Sequence, residues 1–355
     1  MGRKSYVLII ITLLLITSLL TSCGQPQGQE SIATDTDKAP QQLKITDMEG
    51  RDITIDGEIN RIVVIGSALR LYTYVNGTDK LVGVEGAQQS PESGRPYILA
   101  NPQLAELPLV GEGHPSNPDP ELLLSVNPDV IIAGDIMDKE QIQHIQDTIG
   151  VPVVMITTGN SAVFDEDMYQ AIRIIGQITS REERSEDIIN YMEDCKQELA
   201  ELTKDIPEGE KPSVYVGGLS HKGSHGIEST ATKSPLLSAI YAKNVADELD
   251  GQGSVMIDKE QIIKWDPDII IIDQNGLNIV KDDYKKNPDF YNMLSAVKNS
   301  KVYGQLPYVS YYNNIETALA DVYFAGKVLY PHQFEEIDPA DKADEIYEFF
   351  LGEPL

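Results

Sequence analysis

Glu121-Leu122-Leu123-Leu124-Ser125-Val126-Asn127-Pro128-Asp129-Val130-Ile131-Ile132 and Glu260-Gln261-Ile262-Ile263-Lys264-Trp265-Asp266-Pro267-Asp268-Ile269-Ile270-Ile271 are two copies of one pattern. Each has a glutamate, six residues, a Pro-Asp pair and a run of branched apolar residues. The pattern reads as a short amphipathic helix, a stop and a buried strand. Proline ends the helix because it lacks an N–H and clashes with the preceding turn. Aspartate satisfies nearby backbone donors. A single such unit arises easily by chance. Two with equal spacing, at matching places in two halves of the chain, point to two similar lobes.

Around each copy, apolar strands alternate with short helices, the mark of an α/β layer with a mostly parallel sheet. Before the first copy stand the strands 61–66 and 81–84, and after it the helix 141–149 and the strand 151–156. A small hairpin at 45–55 opens this region. In the second half the strands are 213–217, 268–273 and 301–303, with helices at 235–241, 259–264, 288–296, 315–329 and 343–350. Between the halves, apolar residues recur at helical spacing from Met168 to Leu202. Ser180 and Glu183 have the form of a capping box, so a second helix starting there is an open alternative. The expected architecture is therefore α/β. Two similar Rossmann-like lobes with central parallel sheets, 43–163 and 206–355, are joined by a long rigid backbone helix within 164–205. The ligand cleft lies between the lobes, beyond the carboxyl ends of the strands.

The N-terminus gives an address. Arg3 and Lys4 precede an apolar run from Val7, which closes on Leu20-Thr21-Ser22-Cys23. Small residues directly before a cysteine form a lipoprotein processing site. Residues 1–22 read as a signal peptide, Cys23 as the lipidated new N-terminus, and 23–42, rich in Gln, Gly, Ser, Asp and Pro, as a flexible leader. The apolar run is short for a helix crossing a hydrocarbon core of about 30 Å. The chain carries 28 basic and 56 acidic residues, a formal charge of −28. That excludes nucleic acid and anionic bilayers as natural partners. Cys195 is the sole cysteine besides Cys23. It falls on an apolar helix phase and reads as buried filler, so neither an intrachain disulfide nor a cysteine metal site is expected.

These features together resemble the helical-backbone, or class III, periplasmic-binding-protein family, which serves importers of iron complexes, haem, corrinoids and metal oxyanions. The residues carrying the resemblance are the lipobox 20–23, the strand 61–66, the Glu121 and Glu260 repeat, Asn244-Val245-Ala246 and the helical stretch 166–202. The resemblance implies capture of a metal complex, with a metal oxyanion such as molybdate or tungstate as the alternative. It implies a monomer that delivers its ligand to an ABC permease dimer with a cytoplasmic ATPase. By position, Glu121 and Glu260 match the family's two permease-docking glutamates. Both are equally suited to be helix N-terminal acids stabilised by the dipole.

Two segments offer cleft chemistry. The loop 220–230 holds His221, Lys222 and His225 among hydroxyls and glycines, which suits metals or anions. The segment 307–314 holds Tyr308, Tyr311, Tyr312 and Asn313, which suit phenolate ligation, stacking or hydrogen bonding. His221, His225 and Tyr308 are the candidate metal ligands. Arg70 follows the first strand and is a candidate for an anionic ligand. His114 is a candidate for the cleft rim, whereas His144 and His332 read as bystanders. A two-lobed metalloenzyme or a sensory lipoprotein is the rival class. No phosphate loop, nucleophile elbow or His-Glu-x-x-His pattern supports an enzyme.

Overall fold

The computed structural model describes residues 42–354, except 76–77, 91–94, 114–115, 136–137, 160–161, 222 and 311. The strands of the described residues run in the order β1 (Gln42–Thr46), β2 (Asp52–Asp56), β3 (Ile62–Ile65), β4 (Leu81–Val84), β5 (Val130–Ala133), β6 (Val153–Met155), β7 (Ser213–Gly217), β8 (Ser229–Thr232), β9 (Lys243–Asn244), β10 (Gly253–Met256), β11 (Ile269–Asp273) and β12 (Val302–Gln305). β1 and β2 form the opening hairpin. The first lobe is a parallel sheet ordered β4-β3-β5-β6, and the second a parallel sheet ordered β9-β7-β11-β12. Within each sheet the strand met first in the chain has the next strand on one side and the third on the other. The repeat seen in the sequence is thus a repeat of topology. Each lobe reverses its winding between the first and third of these strands, β3/β5 and β7/β11.

The Pro-Asp pairs do more than end helices. The Asp129 carboxylate accepts hydrogen bonds from the Asn60 and Arg61 N–H groups, both at 2.8 Å. Asp268 accepts from the Ser213 N–H at 2.8 Å and the Ser213 hydroxyl at 2.7 Å. Each aspartate fastens the start of the neighbouring central strand, in register with its own. All four residues of β3 and of β5 are buried, as are all five of β11, which explains their unbroken apolar sequence. Facing layers of Ile, Val, Leu and Tyr from strands and helices form the core.

The connector consists of two helices, Glu166–Thr179 and Glu182–Thr203. They fold back on each other. Tyr169 donates to Glu193 at 2.7 Å, and Ser185 donates to the Ile172 carbonyl at 3.0 Å. A Cβ on Gly176 would come within 2.2 Å of the Ser185 hydroxyl, so glycine permits this close crossing. Ser180 is not an N-cap. It adopts the left-handed conformation, φ 58° and ψ 45°, that closes the first helix, and Arg181 stands at the start of the second. The second helix is about 33 Å long at 1.5 Å per residue and runs into the second lobe.

A third element ties the halves. The helix Pro339–Leu351 follows the second lobe in sequence but packs Phe350 edge-on against Tyr74 of the first lobe, ring centroids 5.1 Å apart. Arg184 of the connector donates to the Tyr74 carbonyl at 3.1 Å and lies over the Phe349 ring at 4.5 Å. No described helix is long and apolar enough to cross a membrane.

Candidate ligand cleft

At the carboxyl end of β3, Gly66 turns the chain with φ 70° and the short turn Gly66–Ala68 leads into the helix Leu69–Tyr74. Gly134 follows β5 and meets this turn. A Cβ there would lie 2.4 Å from the Ser67 hydroxyl, so only glycine admits the approach. Ser67 donates to Asp135 at 3.0 Å, and the Thr158 N–H donates to the same oxygen at 2.8 Å. Behind the turn, fully buried Glu85 accepts from the Gly66 N–H at 2.7 Å and from Ser116. Burial raises the Glu85 pKa, while these two hydrogen bonds favour the charged form.

The second lobe repeats the arrangement with different residues. Gly218 turns the chain after β7 with φ 79°. A Cβ on Gly276, beyond β11, would approach the Gly218 and His225 carbonyl oxygens to 2.5 Å each. Asp273 ends β11 and accepts from the Asn275 N–H at 2.9 Å and the Gln305 amide at 3.2 Å. Its burial pushes the carboxyl pKa up to about 6. Asn275 in turn donates to the Val309 carbonyl at 3.0 Å, which holds the segment 307–314 beside this winding reversal.

That segment also reaches the first lobe. Arg70, only 1% exposed, donates through one guanidinium nitrogen to the Asn313 carbonyl and through the other to the Ser310 carbonyl at 3.3 Å. Its guanidinium lies 5.3 Å from the Tyr97 ring centre. Tyr74, one helical turn on, donates to Glu316 at the start of the helix Ile315–Leu329. Burial raises the Glu316 pKa, opposed by the Tyr74 hydrogen bond and by the charge of Arg70. Tyr312 has φ 76° and is 37% exposed. Burial first, and then the Asp135 charge of the opposite lobe, raise its hydroxyl pKa, whereas Arg70 lowers it. Asp135, Arg70 and Tyr312 therefore share one electrostatic environment between the lobes.

The other candidates disperse. Tyr308 turns into the second lobe, 9% exposed, where it lines a small cavity with Val216, Leu236, Gln305 and Asp321. Burial and the charges of Asp273 and Asp321 raise its pKa, which favours the neutral phenol over the phenolate that ligates iron. His225 donates from Nε2 to the His221 carbonyl oxygen at 2.7 Å, the donor role following from the acceptor it faces. His221 is exposed and its N–H bonds the Gly223 carbonyl at 3.0 Å, so the loop folds on itself. The end of that loop is strand: Ser229 and Thr230 are buried in β8, paired with β10. Asn313 is half-buried, and its backbone pairs with Val309. Lys222, Tyr311, His114 and Cys23 lie outside the described residues. Among the described residues no three His, Cys, Asp or Glu side chains gather to hold a metal ion.

Sequence reasoning missed Asp135 and Thr158. Extending the repeat pairs Gly134 with Asp273 and Asp135 with Gln274, so the alignment of the two halves gives Asp135 no acidic counterpart. Thr158 carries no signal either. Glu121 and Glu260 occupy matching first-turn positions on the matched helices Pro120–Ser125 and Lys259–Trp265, and both are exposed. Among the described residues neither carboxylate has an ion-pair partner.

Residues 65–307, which span both sheets and both winding reversals, match the periplasmic binding protein family. The chain belongs to the periplasmic-binding-protein family. Within it, this binding protein has the class III architecture of two parallel-sheet lobes joined by long helices. It is 25% identical, over 292 residues, to an uncharacterized ABC transporter substrate-binding lipoprotein of Bacillus subtilis, covering 82% of this chain and 87% of that one. It is 23% identical over 297 residues to a Fe(3+)-citrate-binding protein of the same organism, covering 83% and 87%. Its fold superimposes on a molybdate periplasmic binding protein of Haemophilus influenzae with a TM-score of 0.68 at 21% identity, covering 88% and 99%. These relatives are solute-binding proteins rather than enzymes, and the family works outside the cytoplasm.

Proposed function

We propose that this chain is the extracytoplasmic substrate-binding lipoprotein of an ABC importer. Lipid on Cys23 holds it to the membrane, Glu121 and Glu260 dock the permease dimer, and a metal chelate is its ligand. The observation that carries the transport reading is the duplicated winding reversal, beside which Arg70 and Asp135 on one lobe and Asn275 on the other face a shared segment, 307–314. The docking role rests on two exposed glutamates at equivalent places on equivalent lobes. Such a pair reports lobe spacing to a two-fold partner, and charge contacts of this kind supply orientation more than net affinity.

The chelate reading rests on the cleft's charge. Arg70 is engaged by the Asn313 and Ser310 carbonyls, and Asp135 stands at the first lobe's reversal, where Ser67 and Thr158 both bond one of its two oxygens. A bare tetrahedral oxyanion is repelled by that carboxylate. A chelate that presents hydrogen-bond donors or positive charge to it is favoured, and a siderophore complex, haem or a corrinoid each offers a large surface to Tyr312. The iron-citrate-binding relative belongs to the same ligand class.

The test is native mass spectrometry of protein purified from its own host, with metal analysis and a visible spectrum. The expected result is a bound metal complex with a chromophore. A bound oxyanion mass without one refutes the chelate reading. Reversing both docking charges, Glu121→Arg with Glu260→Arg, is expected to abolish uptake while ligand affinity stays within about twofold. A large affinity loss in that variant contradicts the docking assignment.

A further inference from the structure

We propose that the second lobe carries another binding site that takes a free single-chain carboxylate amphiphile. Beneath the helix Leu277–Lys286 lies a cavity of about 540 Å³. Its floor is Ile270 and Ile272 of β11 with Ile227, and its walls are Val280, Tyr291 and Val297. The volume falls within the range of about 300–1,000 Å³ usual for small-molecule pockets, and the lining is nearly all apolar. Val302, on the edge strand β12, and Tyr284 form its mouth at 43% and 46% exposure.

A polar network borders the cavity. Asp283, on the covering helix, accepts from the Tyr291 hydroxyl at 2.7 Å, from Asn287 at 2.7 Å and from Lys259 at 2.7 Å. Lys259 also pairs with Glu228 at 3.3 Å. These contacts anchor the helix by its polar face. Its apolar face packs Val280 and Leu277 against the core that Ile270 and Ile272 of β11 belong to, and leaves Tyr284 exposed beside the cavity. Leu277, Val280 and Tyr284, at helical spacing, all line the cavity below.

The mouth selects the headgroup. Lys281 and Lys285 line it one helical turn apart. Lys285 pairs with Asp282 at 2.9 Å, but both side chains are mostly in water and the pair is weak. Lys281 has no ion pair among the described residues. In a chain with twice as many acids as bases, two adjacent lysines beside an apolar groove form a local anion trap. An apolar tail fits the groove, and a carboxylate fits the lysine pair. The long lysine stems extend the apolar wall while their charged ends stay at the surface.

The test is isothermal titration of the full chain with sodium octanoate, decanoate and dodecanoate below their micelle concentrations. One site is expected, with affinity rising roughly tenfold for each two carbons added. Val302→Trp and Val297→Trp, which fill the cavity from its mouth and its wall, are expected to weaken dodecanoate binding about tenfold or more. Lys281→Glu with Lys285→Glu is expected to weaken dodecanoate about fivefold and to strengthen dodecyltrimethylammonium. Both lysines are on the surface, so this variant decides the matter if a tryptophan variant fails to fold. The proposal is overturned by an absence of saturable binding, by equal affinity for dodecanoate and dodecyltrimethylammonium in the unaltered protein, by indifference to all three variants, or by binding seen only with phospholipid vesicles.

Discussion

Replacing Arg70 with methionine tests whether this side chain serves the ligand or the frame around it. In the frame reading its guanidinium spans the two lobes, bonding the Asn313 and Ser310 carbonyls while its charge favours ionised Glu316 beyond Tyr74. Methionine keeps much of the apolar stem's volume and removes every donor. Each lost hydrogen bond from a charged group is worth about 1.5–3 kcal/mol, and breaking one partner out of a buried charged cluster costs about 3–5 kcal/mol. The two figures describe overlapping losses, so the expected destabilisation is about 3–5 kcal/mol in all. At about 2–4 °C per kcal/mol for chains of this general size, the melting temperature should fall by about 10 °C. Urea unfolding and thermal melts of the ligand-free protein read this directly. Adding Glu316→Gln to Arg70→Met should recover about 1–2 kcal/mol, because the second change removes the carboxylate that the first left uncompensated. Arg70→Lys should not rescue, since a single ammonium cannot fork to two carbonyls. A methionine variant that melts within about 1 °C of the original yet loses most of its ligand affinity refutes this reasoning and makes Arg70 a ligand-binding residue.

Two further outcomes follow from buried groups. Asp273 has its pKa raised from 3.8 to about 6, so the folded chain holds this proton at pH values where the unfolded chain has released it. The associated stability is fully present below pH 3.8 and is lost as pH rises through about 6. Relative to the original protein, Asp273→Asn should therefore gain about 3 kcal/mol between pH 3.5 and pH 7; a stability difference that stays flat across that range in urea titrations contradicts the raised pKa. Gly326, inside the helix Ile315–Leu329, would place a Cβ 2.2 Å from the Phe334 ring. Gly326→Ala should cost up to about 2 kcal/mol, because overpacking of about 1–3 kcal/mol is offset by a helix-propensity gain of about 1 kcal/mol, and Phe334→Leu in the same chain should relieve it in a thermal melt.

The layers of this protein were legible where a local pattern dictates them. The buried strands after both Pro-Asp pairs, the helix Ile315–Leu329 and the repeated lobes could all be read from apolar period and breakers. Contacts between distant segments could not. Asp129 and Asp268 were read as local turn residues, yet each binds backbone or hydroxyl donors more than fifty residues away. Ser180 fits a helix start by its neighbours, but the close crossing of Gly176 and Ser185 fixes it as a helix end. The helix Leu277–Lys286 escaped notice because its polar face is the greater part of it and only Val280 is buried. In the cleft, Tyr308 and Tyr312 lie four residues apart in one aromatic cluster, and composition cannot tell them apart. The reversal of φ at Tyr312 sends one toward the opposite lobe, while the other packs beside Asp321. Arg70 reads as a free cation after a strand because the two carbonyls that occupy it come from the far end of the chain.

The helix Pro339–Leu351, which sets Phe350 against Tyr74, has a bearing on the order in which the protein is made. The first sheet is complete by Met155, but the cover over its first helix comes from residues synthesised nearly two hundred positions later. Closing so long a loop is slow, and its entropy is lost before the contact compensates for it. A growing chain therefore carries a first lobe with an uncovered aromatic patch until residues 339–351 have been made. For a protein that works on the far side of a membrane, that delay leaves this helix to join the first lobe and the connector late in folding.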